Sequence, residues 1–203
     1  MFVIVEGPNG SGKTSLIKSL GENGYKTLSS PNGTALAHFL RPACRGVVPW
    51  KDLDKRIQML LFSAARLDEY LKLVHNENNL IVADRWWTST YVYQCILQGL
   101  SIPLLELTKH PEEKIDMVFL LDADNETLLK RVKDERSKNP DHGVCKWTED
   151  IETMTRAMDI YRKDLPEYLS EQGINYNVLD TTCISREDVY NIFVRNFGNK
   201  GLQ

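Results

Sequence analysis

The stretch GPNGSGKT, residues 7 to 14, constrains this chain more than any other. It matches G-x-x-x-x-G-K-[ST], follows directly on the apolar run FVIVE (2 to 6) and runs straight into the helical pattern TSLIKSLGE. Glycines let the backbone curl so that successive N–H groups point inward, and the following helix N-terminus adds positive potential toward an anion. Lys13 then meets the outer phosphates of a nucleotide, and the Thr14 hydroxyl is a ligand for Mg²⁺. Such a cradle requires a strand, a tight loop and a helix in that order.

The rest of the chain repeats that alternation. Short apolar runs at 2–6, 25–29, 79–84, 117–122 and 175–180 are separated by longer helical patterns, which predicts an α/β fold with a five-stranded parallel sheet flanked by helices in three layers. Several runs close on an acidic residue, and ligands bind outside the carboxyl ends of such strands. Asp52 is the expected cap of a long helix in which Ile57, Leu60, Leu61, Ala64, Leu67 and Leu71 recur at helical spacing. Asp124 should cap the helix beginning NETLL, and Thr148, Asp150 and Glu152 should open the one beginning near 150, with a break at Pro166. Ser185 with Asp188 forms a capping pattern for the last helix. Segments 41–50 and 137–147 read as irregular. No linker or repeat divides residues 1–203, so a single domain is expected.

A net charge of −3 gives no push toward nucleic acid, so any phosphate site must be local. Cys44, Cys95, Cys145 and Cys183 have no metal-ligand spacing, and the apolar run at 2–5 is too short for a membrane span or signal peptide. A soluble, cytoplasmic protein is the expectation. The N-K-x-D guanine reader of GTPases is absent, and Asp84 is followed by Arg85 rather than by a second acid that would polarise water. Transfer to a second substrate therefore fits better than hydrolysis, because it needs two anions held in line with positive charge between them. LSSPNGT, after the second strand, lacks the acid that would deprotonate a nucleoside hydroxyl. An acceptor that is already a phosphate needs cations instead, and Arg41, Arg66 and Arg85 are the candidates.

The order and spacing of VEGPNGSGKT, SPNGTALAHFLR, LLFSAAR, DRWWTSTYVYQ, FLLDADNETLLKRV and VLDTTCISREDV resemble the thymidylate kinases, P-loop nucleoside monophosphate kinases. The resemblance implies a P-loop kinase fold with a lid at about 136–147, and transfer of the γ-phosphoryl group of ATP to dTMP with Mg²⁺. It implies ATP contacts from Gly7, Asn9, Gly10, Ser11, Gly12, Lys13, Thr14, Ser15 and Arg131, and metal contacts from Thr14 and Asp84. For dTMP it implies Phe62 stacked on thymine and Arg66 on the base edge, one helical turn apart. Arg85 and Arg41 would grip the acceptor phosphate, Asn9 the sugar hydroxyl, and Ser89, Thr90 and Gln94 would face the acceptor. Since Pro8, Asn9, Gly10 and Ser11 carry no charge, the lid must supply the catalytic cation, from Arg136, Lys138 or Lys146, with Arg136 the leading candidate. Loop 180–185 would frame adenine. Trp86 and Trp87 are read equally as core packing and as acceptor contacts. Members of the family are commonly homodimers.

The chain departs from the resemblance in two places. The family often has an acid in the phosphate loop where Asn9 stands, and Asn can make the same contact to the sugar hydroxyl through its amide. Bacterial-type members read R-E-P-G-G-T where this chain has Ser29, Ser30, Pro31, Asn32, Gly33 and Thr34, which removes two charges beside the sugar and base. The alternatives are a kinase for dUMP or another pyrimidine nucleoside or monophosphate, and a non-catalytic nucleotide switch.

Overall fold

In the computed structural model, residues 1–44, 53–138 and 150–198 are described, with only the backbone of 41–44. Strand β1 (Phe2–Glu6) is buried on both faces, as its unbroken apolar run requires. It pairs in parallel with β3 (Ile81–Asp84) on one side and β4 (Met117–Asp122) on the other. The edges are β2 (Lys26–Ser29), beside β3, and β5 (Tyr176–Asp180), beside β4, giving the order β2-β3-β1-β4-β5. The chain leaves β1 toward one edge and later crosses to the other, so the crevice at its carboxyl end is a topological switch point.

Alternating residues of β1 face different layers. Val3 and Val5 pack with Leu16, Ile17 and Leu20 of α1 (Lys13–Glu22) and with Val189, Phe193 and Phe197 of α9 (Arg186–Phe197). Phe2 and Ile4 join the opposite layer, which takes Met59 from α3 (Lys55–Glu69), Ile160 and Tyr161 from α7 (Ile151–Arg162), and Leu165 and Leu169 from α8 (Asp164–Glu171). The remaining helices among the described residues are α2 (Ala35–Cys44), a π-helical stretch Tyr70–Val74 that continues α3, α4 (Trp87–Thr90), which passes into a second π-helical stretch Tyr91–Leu97, α5 (Ile102–Leu107) and α6 (Asn125–Lys138). Among the described residues no helix is long and apolar enough to cross a membrane.

The capping expectations hold at Asp124, at Asp150, whose side chain accepts from the Thr153 N–H at 2.6 Å, and at the Ser185–Asp188 capping box. The break near Pro166 falls at Lys163, between α7 and α8. Two readings are corrected. Asp54 caps α3 by accepting from the Arg56 N–H at 2.8 Å, whereas Asp52 lies outside the described residues. The helical series itself is present: Ile57 and Leu60 on α3 and Leu71 just beyond it are 46%, 45% and 46% exposed, while Gln58, Ser63, Arg66 and Glu69 are buried. The irregular segment from 41 also begins as the last turn of α2. Thr148 lies outside the described residues.

Candidate functional site

The loop after β1 curls at Gly7 (φ 143°), Gly10 (φ 84°) and Gly12 (φ 100°). A Cβ at Gly7 would lie 2.0 Å from the Leu121 carbonyl oxygen, so only glycine fits there. Lys13, at the first turn of α1, is buried. Its ammonium donates to the Gly7 and Pro8 carbonyls, each at 2.8 Å, and to Ser11 Oγ at 3.4 Å. Burial, reinforced by the charge of Arg85, pushes its pKa down to about 7. Thr14 is exposed beside it and Ser15 is partly buried.

A polyphosphate against Lys13 favours the charged ammonium, so nucleotide binding should raise this pKa. Below it Lys13 already carries its proton in the free protein, and above it binding must draw one from solvent. Proton uptake on ATP binding is thus expected to be small about one unit below pH 7 and to approach one proton per site about one unit above. Titration calorimetry in buffers of different ionisation enthalpy measures it, and Lys13→Met should abolish it. Equal uptake on both sides of pH 7 would exclude Lys13 as the source.

Arg85 directly follows β3 with its backbone at φ 68°, a conformation that residues other than glycine, asparagine and aspartate rarely adopt. This turn aims the guanidinium at the phosphate loop rather than along the strand. One nitrogen donates to Asn9 Oδ1 at 2.8 Å, and another to Ser89 Oγ at 3.0 Å and Tyr161 Oη at 2.9 Å. Below it lies Glu6, fully buried, with a carboxylate oxygen 3.7 Å from the guanidinium. Glu6 also accepts from the Gly7 and Trp86 N–H groups, Thr88 Oγ1, Ser89 Oγ and Tyr161 Oη. A buried carboxylate with these donors and a cation above it is satisfied, and it fixes the frame in which Arg85 stands. Asp84, half-buried, closes β3 opposite Val5 of β1, at the same carboxyl edge as Thr14.

Trp86 and Trp87 are each 2% exposed and belong to the core. Trp86 meets Phe2 edge-on at 5.1 Å and donates its ring N–H to Glu113. The Lys109 ammonium sits 3.6 Å from the centre of the Trp87 ring. Of the two readings, packing is the one the geometry supports.

On α3, Arg66 is buried and donates to Thr90 Oγ1 and to Ser63 Oγ, both at 3.0 Å. Burial pushes its pKa down to about 10, still far above neutrality, so it remains a buried cation. Phe62, one turn earlier, is partly buried against Ala37, Leu40 and Ala65. Gln94 is buried on the π-helical stretch after Thr90. The structure thus joins Arg66 to Thr90, and Arg85 to Ser89 and Asn9, on the two faces of one short helix start.

On the far side of the cradle, Arg131 of α6 donates to the Gly10 carbonyl at 3.3 Å, to Thr181 Oγ1 at 3.0 Å and to the Thr181 carbonyl at 2.7 Å. It ties the phosphate loop to the 180–185 loop. Arg136 and Lys138 lie in the last turn of α6. The side chain of Arg41, residues 139–147 of the expected lid, and Lys146 within it lie outside the described residues.

The family model for thymidylate kinases matches residues 5–177. The chain belongs to the thymidylate kinase family. A probable thymidylate kinase of Methanocaldococcus jannaschii is 32% identical over 94% of this chain and 92% of its own length. A thymidylate kinase of Ligilactobacillus salivarius is 28% identical over 83% of this chain and 82% of its own. The crystal structure of a thymidylate kinase from Ehrlichia chaffeensis superposes with a TM-score of 0.67 over 97% of both chains at 20% identity, which is a likeness of fold.

Three polar residues of this thymidylate kinase site escaped the sequence reading. Glu6 had a visible signal, as an acid closing an all-apolar strand immediately before the cradle. Tyr161 had none, since only the packing of α7 brings its hydroxyl to Arg85 and Glu6. Glu69 lies three residues beyond Arg66 and so on the same face of α3, a spacing that could have drawn attention to it.

Proposed function

We propose that the protein transfers the γ-phosphoryl group of ATP to dTMP, giving dTDP and ADP. The observation that carries this reading is the position of Arg85, hydrogen-bonded to Asn9 of the phosphate cradle on one side and to Ser89 of the helix bearing Thr90 on the other. A cation held between a donor cradle and an acceptor pocket screens the repulsion between two phosphates in line, and it costs no reorganisation when charge develops.

ATP lies along the loop with its outer phosphates drawing Lys13 away from the Gly7 and Pro8 carbonyls. The dTMP base meets Arg66 and Phe62, and its phosphate meets Arg85 and Arg41. An oxygen of the dTMP phosphate forms the new bond to phosphorus as the bond to the β,γ-bridging oxygen breaks. The attacking oxygen is already anionic, so no general base is required. Arg136 adds positive charge from the lid side.

The donor set fits Mg²⁺: a hydroxyl at Thr14 and a carboxylate at Asp84 are hard oxygen ligands, and such sites usually combine one or two carboxylates with substrate phosphates. Bound there, the ion would neutralise charge on the β- and γ-phosphates. We assign the reaction to the cytoplasm, in keeping with the scattered cysteines, of which Cys95 and Cys183 are free.

Coupled ADP release from ATP with a panel of nucleosides and monophosphates tests the assignment. Turnover of roughly 1–100 s⁻¹ with dTMP and none with thymidine is expected. Turnover with thymidine but not dTMP would assign the protein to nucleoside kinases, and no turnover with any acceptor would favour a nucleotide switch.

A further inference from the structure

The loop after β2 carries no acid, yet a carboxylate stands in it. Glu69 is fully buried on α3 and reaches across to this loop, taking the Asn32 N–H at 2.7 Å and the Gly33 N–H at 2.6 Å on one oxygen. Its other oxygen takes the Ser30 hydroxyl at 2.6 Å. All three donors lie within four consecutive residues of the loop, and hydrogen bonds to an ionised acceptor are about twice as strong as neutral ones. The fit is close: a Cβ at Gly33 would lie 2.4 Å from Leu28 Cδ1, 2.7 Å from Leu73 Cδ1 and 3.2 Å from the Glu69 oxygen. The loop packs at Gly33 against side chains of β2, of the π-helical stretch after α3 and of Glu69 itself.

Position 30 is where the resembling pattern R-E-P-G-G-T has its acid and this chain has Ser30. The serine donates to Glu69, so the negative charge missing from the loop is delivered to the same place from the helix. On that helix Glu69 sits one turn beyond Arg66, which in turn holds Thr90. The loop, α3 and α4 are therefore linked through two side chains of one helix face.

We propose that Glu69 is a positioning residue for the acceptor. Its carboxylate fixes the β2 loop against α3 at the separation from Arg66 that the acceptor sugar and base require. The proposal rests on the dTMP reading above, and it concerns only the acceptor half of the site. The Lys13 cradle shares no hydrogen bond with Glu69.

Four proteins test it: Glu69→Ala, Glu69→Gln, Ser30→Ala and the Ser30→Ala/Glu69→Gln double variant, each measured for KM of dTMP, KM of ATP, kcat, dTMP binding by calorimetry and thermal midpoint. Glu69→Ala is expected to raise KM for dTMP about ten-fold or more with KM for ATP nearly unchanged. Glu69→Gln should rescue most of that loss, because its oxygen can keep the two loop N–H groups and its amide can donate to a rotated Ser30 hydroxyl. Adding Ser30→Ala leaves the Gln amide N–H₂ buried without its acceptor, so the double variant should lose more dTMP affinity than the two single losses summed, although Ser30→Ala alone is mild. Should Glu69→Ala fail to fold, this non-additivity carries the test. A lower thermal midpoint with unchanged dTMP affinity would reduce Glu69 to scaffolding, and a parallel rise in both KM values would overturn the acceptor-specific role. If the wild type refuses dTMP but uses another acceptor, the substrate assignment alone fails, and the same comparison is made on that acceptor.

Discussion

Arg85→Ala is expected to lower kcat/KM for dTMP by about 10³-fold while leaving ATP affinity nearly intact. In the proposed complex the guanidinium meets the acceptor phosphate, and its contact with the phosphate loop is a single bond to Asn9. Loss of charge between the two phosphates therefore falls on the transition state rather than on nucleotide binding. Arg85→Lys should recover little, because one ammonium cannot reproduce the divergent bonds to Asn9, Ser89 and Tyr161. Both variants also leave Glu6 with weaker compensation in a fully buried position, so both should melt earlier than the parent. A second measurement isolates the backbone. At φ 68°, alanine retains a left-handed penalty of about 1–2 kcal/mol, which exceeds the roughly 0.5–1 kcal/mol of extra chain entropy that glycine brings. Arg85→Gly is thus expected to melt at or above Arg85→Ala, although the two are equally inactive. Steady-state kinetics and thermal melts check both halves, and an Arg85→Ala protein with normal dTMP turnover would remove Arg85 from the acceptor site.

Arg66→Ala is expected to weaken dTMP use by about 10–100-fold in kcat/KM with ATP binding unchanged. Arg66 is a buried cation whose partners Thr90 and Ser63 are neutral hydroxyls, so its charge is not spent on an ion pair within hydrogen-bond reach. Desolvation lowers its pKa to about 10 and leaves it charged at neutral pH, ready to pair with the carbonyl edge of a pyrimidine. Comparing dTMP with dUMP in the variant separates the base edge from the methyl group: a loss shared by both acceptors is expected for a contact to the carbonyl edge. Equal loss of ATP and dTMP binding would mean that the base pocket lies elsewhere.

Much of this was legible in the chain. The five strands fall where the runs lie; the central three, β1, β3 and β4, are buried and so are written as short continuous apolar segments, while the edge strands β2 and β5 are more exposed. The phosphate loop was readable because its glycines are demanded by backbone geometry, as the 2.0 Å approach at Gly7 shows. The spacing on α3 predicted the helix and not which of its faces is buried. A periodic apolar series signals burial only when the opposite face has nothing to bury, and here the opposite face buries Gln58, Ser63, Arg66 and Glu69. Ile57, Leu60 and Leu71 are left at the surface of the chain.

Sequence alone was enough to establish the sheet, the donor cradle and the candidate cations, since each depends on residues adjacent along the chain or spaced by one helical turn. Which polar groups meet was decided only by the tertiary structure. Glu6 and Tyr161 are separated by 155 positions and meet at 3.0 Å, and Glu69 finds Asn32 and Gly33 across 37 and 36 positions. Buried polar atoms take whichever partners packing brings within about 3 Å, and a linear pattern carries no record of that distance.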